Sequence, residues 1–297
     1  MRVAIIGANG QLGTDLVKVF RGEPGFEVVP LTHRDLDVTV SESLKILKEV
    51  KPDVIINTAA YVRVDDAELY PERAFTVNAI GALNVARVAE EIGAVNVYIS
   101  TDYVFDGEKG EPYAEDDVPN PINVYGTSKL AGEIFTRNYS SKYYIIRVAS
   151  LYGKAGASGK GGNFVNWVIE KAKRGERLRI VDDQVMSPTH TLDVAKTLVR
   201  FIRLEPSEYG VYHMVNEGYC SWYEFTKTIF EILGWTVEIE PIKSSELNRL
   251  ARRPRFSALE NARLHALGLR MTGWREGLRE YLKEIKLLYT SEGKTHE

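Results

Sequence analysis

A glycine-rich loop near the N-terminus constrains the fold more than any other feature of the sequence. The apolar run 3–6 leads into Gly7, Gly10 and Gly13, and an amphipathic helical pattern begins at Leu12. Glycines at such a junction let the backbone turn tightly, approach a pyrophosphate closely and pack the helix against the sheet. The helix N-terminus then presents free N–H groups and the positive end of its dipole to the phosphates. The loop therefore predicts a dinucleotide-binding strand–helix–strand unit.

The rest of the N-terminal half alternates between strand and helix patterns. Continuous apolar runs predict strands at residues 3–6, 28–31, 54–57, 95–100 and 143–148. Helical patterns lie between them, at residues 12–20, 41–50, 72–92 and 124–138. Ser41 is predicted to cap the second helix, and Pro71 suits the first turn of the third. Runs of this kind are typical of parallel strands buried on both faces, so we expect an α/β fold with a Rossmann-type doubly wound parallel sheet.

After Tyr152 the pattern changes. A loop rich in glycine and lysine, residues 154–162, precedes further helical patterns at 164–174, 192–204, 221–233 and 272–288, with strands expected at 178–181 and 211–215. We therefore expect an NAD(P)-binding Rossmann domain over residues 1–152. Residues 153–290 are expected to form mainly a smaller substrate-binding subdomain, partly interleaved with the first, and 291–297 a polar tail.

Composition and charge exclude several classes of protein. The net charge of −3 offers no basic surface for nucleic acid. No apolar run approaches the ~18 residues of a membrane span, and the N-terminal run is too short for a signal peptide. The single cysteine, Cys220, cannot form an intrachain disulfide, and the five histidines are scattered rather than clustered as metal ligands. We expect a cytoplasmic protein without a metal site.

The end of the second strand bears on the choice of cofactor. An acidic residue there usually binds the ribose hydroxyls of NAD. This chain instead has His33 and Arg34, followed by Asp35 and Asp37. Arg34 could bind a 2′-phosphate, which favours NADPH with NADH also accepted. The alternative, that His33 and Arg34 are merely solvated loop residues, stays open.

A tyrosine and a lysine at helical spacing carry the predicted chemistry. Thr101 ends the fourth strand, and Tyr125 and Lys129 lie four residues apart at the start of the next helix, on one face. An ammonium beside a phenol favours the phenolate and is expected to lower the pKa of the tyrosine. Such a tyrosine can protonate an oxygen that is becoming an alkoxide, and the Thr101 hydroxyl can bind the same oxygen.

The spacing of tyrosine and lysine is weak evidence by itself. About one such pair is expected by chance in a chain with 16 tyrosines, and Tyr223–Lys227 is a second match. That second pair has no strand-end hydroxyl before it. Tyr125–Lys129 is preferred because the glycine loop, the threonine and the following strand surround it in the expected order.

Taken together, these motifs resemble the dTDP-4-dehydrorhamnose reductases, within the extended short-chain dehydrogenase/reductase family. The Gly-x-x-Gly-x-x-Gly spacing is typical of that larger family. Nearly the whole chain takes part in the likeness, through Thr58-Ala59-Ala60-Tyr61, Val64-Asp65-Asp66-Ala67-Glu68, Ser100-Thr101-Asp102-Tyr103-Val104-Phe105, Asn123-Val124-Tyr125-Gly126, Lys129-Leu130-Ala131-Gly132-Glu133, Gly162-Asn163-Phe164, Asp183-Gln184, Pro188-Thr189, Arg252-Arg253-Pro254 and Ser257-Ala258-Leu259.

The resemblance implies transfer of a hydride from NAD(P)H to C4 of a nucleotide-activated 4-keto sugar, with Tyr125 as the proton donor. It implies cofactor contacts from Gly7, Asn9, Gly10, Gln11, Leu12, Gly13, Asp37, Val38, Ala59, Ala60, Tyr61, Tyr125 and Lys129, to which the sequence at the end of the second strand adds Arg34. It implies substrate contacts from Thr101, Asp102, Tyr103, Leu151, Asn163, Gln184 and Arg253. A guanidinium such as that of Arg253 can bind a diphosphate through two parallel bonds, although Arg253 also lies in a basic run that a solvated surface would explain.

One departure from the family keeps alternatives open. The family commonly places a tryptophan against the sugar after strand five, where this chain has Leu151. A 4,6-dehydratase is disfavoured because Tyr103, rather than a second carboxylate, follows Asp102. An epimerase, another nucleotide-sugar reductase, and a binding protein resembling the regulatory β-subunit of methionine adenosyltransferase remain as alternatives. The resemblance also implies a homodimer.

Overall fold

The computed structural model describes residues 1–156 and 162–288, so the predicted polar tail 291–297 and part of the loop 154–162 lie outside the described residues. Strands run over β1 Arg2–Ile6, β2 Glu27–Leu31, β3 Val54–Asn57, β4 Val95–Thr101, β5 Tyr143–Val148, β6 Leu151–Tyr152, β7 Leu178–Val181, β8 Val185–Met186, β9 Thr189–His190, β10 Gly210–His213, β11 Cys220–Ser221 and β12 Ile239–Ile242. The α-helices are α1 Gln11–Gly22, α2 Lys45–Val50, α3 Val64–Leu69, α4 Pro71–Phe75, α5 Gly81–Ile92, α6 Val124–Tyr139, α7 Phe164–Lys173, α8 Thr191–Leu204, α9 Trp222–Leu233, α10 Ala262–Ala266 and α11 Trp274–Glu284.

The largest sheet in the described part of the chain has six strands in the order β10-β5-β4-β3-β1-β2, and every neighbouring pair is parallel. Helices cover both faces. On one face α1 and α8 pack on apolar side chains of β1, β3, β4 and β5. On the other, α2 and α5 pack on the alternate side chains of β1 and β3. The predicted doubly wound parallel sheet is therefore confirmed.

Two details of the N-terminal half differ from the prediction. Ser41 does not cap a helix: it is the first residue of a 3₁₀ turn, Ser41–Leu44, whose N-cap is Val40. The helix expected over 72–92 does begin with Pro71 in its first turn, but a π-helical turn, Thr76–Ile80, interrupts it. Such turns are often found beside functional sites. Here the turn carries the fully buried side chain of Asn78 beneath the site described below.

The C-terminal half contributes to two regions. Strand β10 extends the main sheet beside β5, and α8 packs against α1. The remaining segments surround a separate apolar core formed by α7, α9, α11 and β7, in which Tyr152, Phe225 and Tyr281 are almost fully buried. The domain boundary at residue 152 stays a prediction. Among the described helices, none combines the length and the hydropathy that a bilayer crossing requires.

Candidate active site

A cavity of about 950 Å³ lies over the carboxyl ends of β1, β3, β4 and β5. Crevices at this edge of an open α/β sheet are the usual ligand sites of such folds. One arm, the cofactor arm, follows the glycine loop and the loops after β2 and β3. The other, the substrate arm, passes Leu151 and ends between the N-termini of α7 and α9. The predicted catalytic residues lie where the two arms meet.

Close packing of backbone shapes the glycine loop. Gly7 has φ of +78°, and a Cβ atom on it would lie 2.5 Å from Thr58 Oγ1. A Cβ on Gly13 would lie 2.1 Å from the carbonyl oxygen of Gly7, so α1 can sit this close only with glycine there. Helix α1 has no side-chain cap, and the buried Oε1 of Gln11 has no hydrogen-bond partner in the protein. Free donors at a helix N-terminus fit the phosphates of a dinucleotide, and the unpaired Gln11 oxygen can accept a hydrogen bond from a hydroxyl or amide group of such a ligand.

The other residues expected in the cofactor arm divide into two groups. Those that line the cavity are Gly7, Asn9, Gly10, Gln11, Leu12, Asp37, Val38, Ala59, Ala60 and Tyr61. Gly13 lies behind the loop. Arg34 is exposed and does not line the cavity, whereas His33 does, with its Nε2 3.8 Å from Asp37 Oδ2. The structure therefore leaves the predicted contact of Arg34 with a 2′-phosphate as a prediction.

Asn78 is a residue that the sequence analysis missed. Its side-chain amide exchanges hydrogen bonds with the backbone of Tyr61, accepting at 2.8 Å and donating at 3.1 Å, and also donates to Ser128 at 2.9 Å. Because Ser128 precedes Lys129, this buried amide ties the cofactor arm to the helix that carries the predicted catalytic pair. No motif pointed to Asn78, since its importance depends on three segments that are distant in sequence.

Thr101, Tyr125 and Lys129 line the same part of the cavity. Strand β4 ends at Thr101, and α6 begins just before Tyr125 because Asn123 caps it, accepting a hydrogen bond from the N–H of Gly126 at 2.7 Å. Tyr125 and Lys129 are one helical turn apart, and the Thr101 hydroxyl lies close enough to the Tyr125 phenol to affect its pKa. The structure thus brings a phenol, an ammonium and a strand-end hydroxyl together.

The expected effect of Lys129 on the tyrosine is wrong for this structure. The pKa of Tyr125 is raised, not lowered, because burial disfavours the phenolate. Burial also lowers the pKa of Lys129 to about 7. The lysine is 2% exposed and donates from Nζ to the carbonyl of Ile99 at 2.6 Å. Each group of the pair is therefore held towards its neutral form.

Asp102 and Tyr103 also line the cavity beside Tyr125. Burial raises the pKa of Asp102 to about 6, although its carboxylate accepts hydrogen bonds from Thr101 at 3.0 Å and from Ser257 at 2.6 Å. Burial raises the pKa of Tyr103 to about 12. The Tyr103 ring packs edge-on against Tyr125 with centroids 5.9 Å apart. These neighbours complete a polar but sheltered centre.

The residues expected to bind substrate are only partly brought together. Leu151 and Asn163 line the substrate arm, but the Asn163 side chain caps α7 and donates to Gly153 at 2.9 Å. Gln184 and Arg253 do not line the cavity. Arg253 makes two bonds to the carboxylate of Asp65, at 2.7 and 3.1 Å, and these bonds help to lower the pKa of Asp65 to about 2. The diphosphate role of Arg253 therefore stays a prediction.

Aromatic side chains at the far end of the substrate arm were not anticipated. The rings that line it are those of Phe164, Trp167, Trp222 and Phe225. Phe164 and Trp222 are 4.5 Å apart between ring centroids, and Trp167 is 45% exposed. Glu170 and Arg174, both exposed, also line the cavity along α7. In the sequence these aromatics fall at helix starts and look like core residues, so only the meeting of α7 and α9 reveals them.

Comparison with known proteins identifies the family of the chain. The model of the RmlD substrate binding domain family matches residues 1–287. The chain is 37% identical to the spore coat polysaccharide biosynthesis protein SpsK of Bacillus subtilis, over 95% of this chain and 97% of that protein. It is 35% identical to dTDP-4-dehydrorhamnose reductase of Aggregatibacter actinomycetemcomitans, over 94% and 97%. The crystal structure of dTDP-4-dehydrorhamnose reductase from Bacillus anthracis in complex with NADP superposes with a TM-score of 0.90, at 41% identity and coverage of 95% and 99%.

Proposed function

The chain belongs to the dTDP-4-dehydrorhamnose reductase family, and we propose that it is an oxidoreductase that uses NADPH to reduce the C4 keto group of a dTDP-activated 6-deoxy-4-keto sugar. The preferred substrate is dTDP-4-dehydrorhamnose and the product dTDP-rhamnose. The observation that carries this proposal is the convergence of Thr101, Tyr125 and Lys129 at the junction of the two arms.

Bound NADPH supplies the hydride, and the protein supplies binding, orientation and the proton. The glycine loop and the N-terminus of α1 hold the pyrophosphate. Asp37 and Val38 line the adenosine end of the arm, and Ala59, Ala60 and Tyr61 continue it towards the reaction centre. NADH is accepted as well, since no buried cation among the described residues lines the adenosine end to demand a 2′-phosphate.

Tyr125 donates its phenolic proton to the oxygen at C4 as that oxygen gains negative charge. A raised pKa suits a proton donor, because the phenol is then protonated when the substrate arrives. The Thr101 hydroxyl binds the same oxygen, and the ammonium of Lys129 stabilises the phenolate left behind. Asp102 and Tyr103 contact the sugar, and the aromatic end of the substrate arm takes the nucleotide half.

The test supplies dTDP-4-dehydrorhamnose and NADPH and follows the nicotinamide absorbance band. Tyr125→Phe is expected to lower kcat by about 10²–10⁴-fold, while NADPH affinity measured by fluorescence titration changes little. Tyr223→Phe is the matched control, because Tyr223 also precedes a lysine by four residues but does not line the cavity. Consumption of NADPH with dTDP-4-keto-6-deoxyglucose but not with its dehydrorhamnose epimer would change the assigned sugar. Loss of NADPH binding in Tyr125→Phe would contradict the role of the phenol.

The location and assembly state are part of the same proposal. The enzyme works in the cytoplasm, and it forms the homodimer that the family resemblance implies. Light scattering on the purified full chain tests the assembly, and a molar mass equal to one chain at micromolar concentration would refute it.

A further inference from the structure

A buried cluster of polar residues that the proposed mechanism does not use lies directly behind Lys129. Arg147 makes two hydrogen bonds to the carboxylate of Glu133, at 2.9 and 2.8 Å, and Ser100 donates to the same carboxylate at 2.5 Å. The side chains of Arg147 and Glu133 are only 3% and 4% exposed. Removing two charges from water is costly and pairing repays that cost only in part, so a buried ion pair is weak evidence for a role in stability.

The fold fixes where this pair faces. Glu133 follows Lys129 by one turn of α6, as Lys129 follows Tyr125, so the three lie along one stripe of the helix. Ser100 and Arg147 are opposite each other in the register of β4 and β5, beneath that stripe. The residue next to Ser100, Ile99, accepts the hydrogen bond from Lys129. Sheet and helix therefore present Glu133 to the lysine in one geometry.

Little else in the described structure compensates the charge of Lys129. From β4 it meets the Ile99 carbonyl and the Tyr98 ring, whose centroid is 4.0 Å from Nζ, and along its own helix it has Tyr125 and Glu133. Glu133 is the one charged member of this set, and its field opposes the lowering of the Lys129 pKa that burial causes. The guanidinium of Arg147 lies over Phe105, and its charge adds to the effect of burial in lowering the pKa of His213. Of the two members of the pair, Glu133 is therefore the one whose charge acts on Lys129.

We propose that Glu133 is a positioning residue for the reduction: clamped by Arg147 and Ser100, it holds Lys129 in the ammonium form that Tyr125 requires after giving up its proton. This inference rests on the proposed function for its catalytic consequence, but the coupling between Glu133 and Lys129 can be measured without substrate. Arg147 fixes the direction of the Glu133 carboxylate through two hydrogen bonds, and Ser100 adds a third.

The first experiment measures kcat/KM for the sugar from about pH 6 to about pH 9. In the wild type the activity falls as Lys129 loses its proton. Glu133→Gln should move that fall to lower pH by about one unit or more, which is about a tenfold loss at pH 8 and a much smaller loss at pH 6.

Glu133→Gln leaves Arg147 buried and unpaired and can fail to fold, so Glu133→Gln with Arg147→Met is the second variant. It should shift the profile in the same direction by less. Glu115→Gln, at a buried carboxylate outside the site, should not shift it.

The second experiment needs no substrate. Urea unfolding measures the free energy of unfolding of the wild type and of Glu133→Gln with Arg147→Met, each with and without Lys129→Met. The measurements cover the same pH range and extend into more alkaline solution. Because the folded state lowers the pKa of Lys129 below that of the unfolded chain, the unfolded chain binds more protons between the two values. Wild type therefore gains stability relative to Lys129→Met as pH rises above about 7. In the Glu133→Gln, Arg147→Met background this gain should begin at lower pH.

An equal loss of activity at every pH, with the same onset in the unfolding comparison, would overturn the proposal and leave the pair a purely structural role. The two experiments also separate its failure from that of the proposed function. If the wild type does not reduce the sugar, the proposed function fails. The unfolding comparison still decides whether Glu133 controls the charge of Lys129.

Discussion

The two arms of the cavity are built in different ways. The cofactor arm is formed by short segments directly after β1, β2 and β3, and backbone packing around Gly7 and Gly13 sets its shape. The substrate arm is formed by the ends of α7 and α9 and by Leu151, and aromatic side chains set its shape. A site whose shape is set by close backbone contacts tolerates almost no atom added at those contacts. The side chains around such a site can vary widely. A site defined by side chains can change its ligand through single substitutions.

Among the variants that set the two arms against each other, the largest effect is expected from adding one methyl group to the backbone-defined arm. In Gly13→Ala the new Cβ would lie 2.1 Å from the Gly7 carbonyl oxygen, so the loop or α1 must move. We expect a loss of about 2–4 kcal/mol in the free energy of unfolding, as for overpacking, and at least about 100-fold weaker NADPH binding. Urea denaturation and fluorescence titration measure the two quantities.

Gly22→Ala is the matched control, because the same methyl group at the other end of α1 meets no atom within 4 Å. It should leave NADPH binding unchanged and stability equal or slightly higher. Similar losses in both variants would mean that helix α1 as a whole, rather than the close approach at Gly13, limits the cofactor arm.

The same contrast explains how far the sequence predicted the molecule. Strand positions and the parallel sheet followed from continuous apolar runs, because each run reports burial that is local in sequence. Ser41 was mistaken for a cap because its hydroxyl pattern is shared by caps and 3₁₀ turns. The π-helical turn at Thr76–Ile80 had no periodicity signal, since one extra residue in a long helical pattern barely alters it.

The site divides along the same line. The residues of the glycine loop and the pair Tyr125–Lys129 are encoded at fixed short spacings, so their positions could be predicted. The directions of the pKa shifts could not be predicted. Burial raises the pKa of Tyr125 and lowers the pKa of Lys129, and this burial depends on how α6 lies on β4. The partner of Arg253 could not be predicted either, since Asp65 lies 188 residues away in the chain.

The junction of the two arms provides the next test. Asp102 directly follows β4 and lies where the two arms meet. It accepts a hydrogen bond from Ser257 of the C-terminal half at 2.6 Å. Its folded-state pKa of about 6 lies above its unfolded value of about 3.8, so between these values the folded state binds more protons and wild-type stability falls as pH rises. Asp102→Asn lacks this titration. Its stability relative to wild type should increase by about 1–3 kcal/mol from pH 4 to pH 7, measured by urea unfolding. A constant difference across that range would contradict the placement of a costly charge at the junction.

A smaller effect is expected in the arm defined by side chains. Trp222→Ala removes the ring that lies 4.5 Å from Phe164 and opens the end of the substrate arm. We expect KM for the nucleotide sugar to rise about tenfold, with kcat and NADPH affinity nearly unchanged, because loss of an aromatic contact is worth about 1–2 kcal/mol. Trp235→Ala is the control, since Trp235 packs on Phe230 outside the cavity. A fall in kcat without a change in KM would mean that Trp222 supports the reaction centre instead of the nucleotide half.

The smallest effect should come from the exposed rim of the cofactor arm. Arg34 lies outside the cavity lining and is open to solvent, so a contact with a 2′-phosphate would be screened and worth less than about 1 kcal/mol. Arg34→Ala is therefore expected to raise KM for NADPH by only about two- to fivefold, to leave KM for NADH unchanged, and to lose its effect at high salt. Steady-state kinetics with each cofactor at low and high ionic strength make the measurement.

Equal losses with both cofactors would move Arg34 to a contact shared by NADPH and NADH. A loss of a hundredfold with NADPH alone would mean that the rim closes over the 2′-phosphate, so that this part of the cofactor arm, like the substrate arm, is completed by side chains.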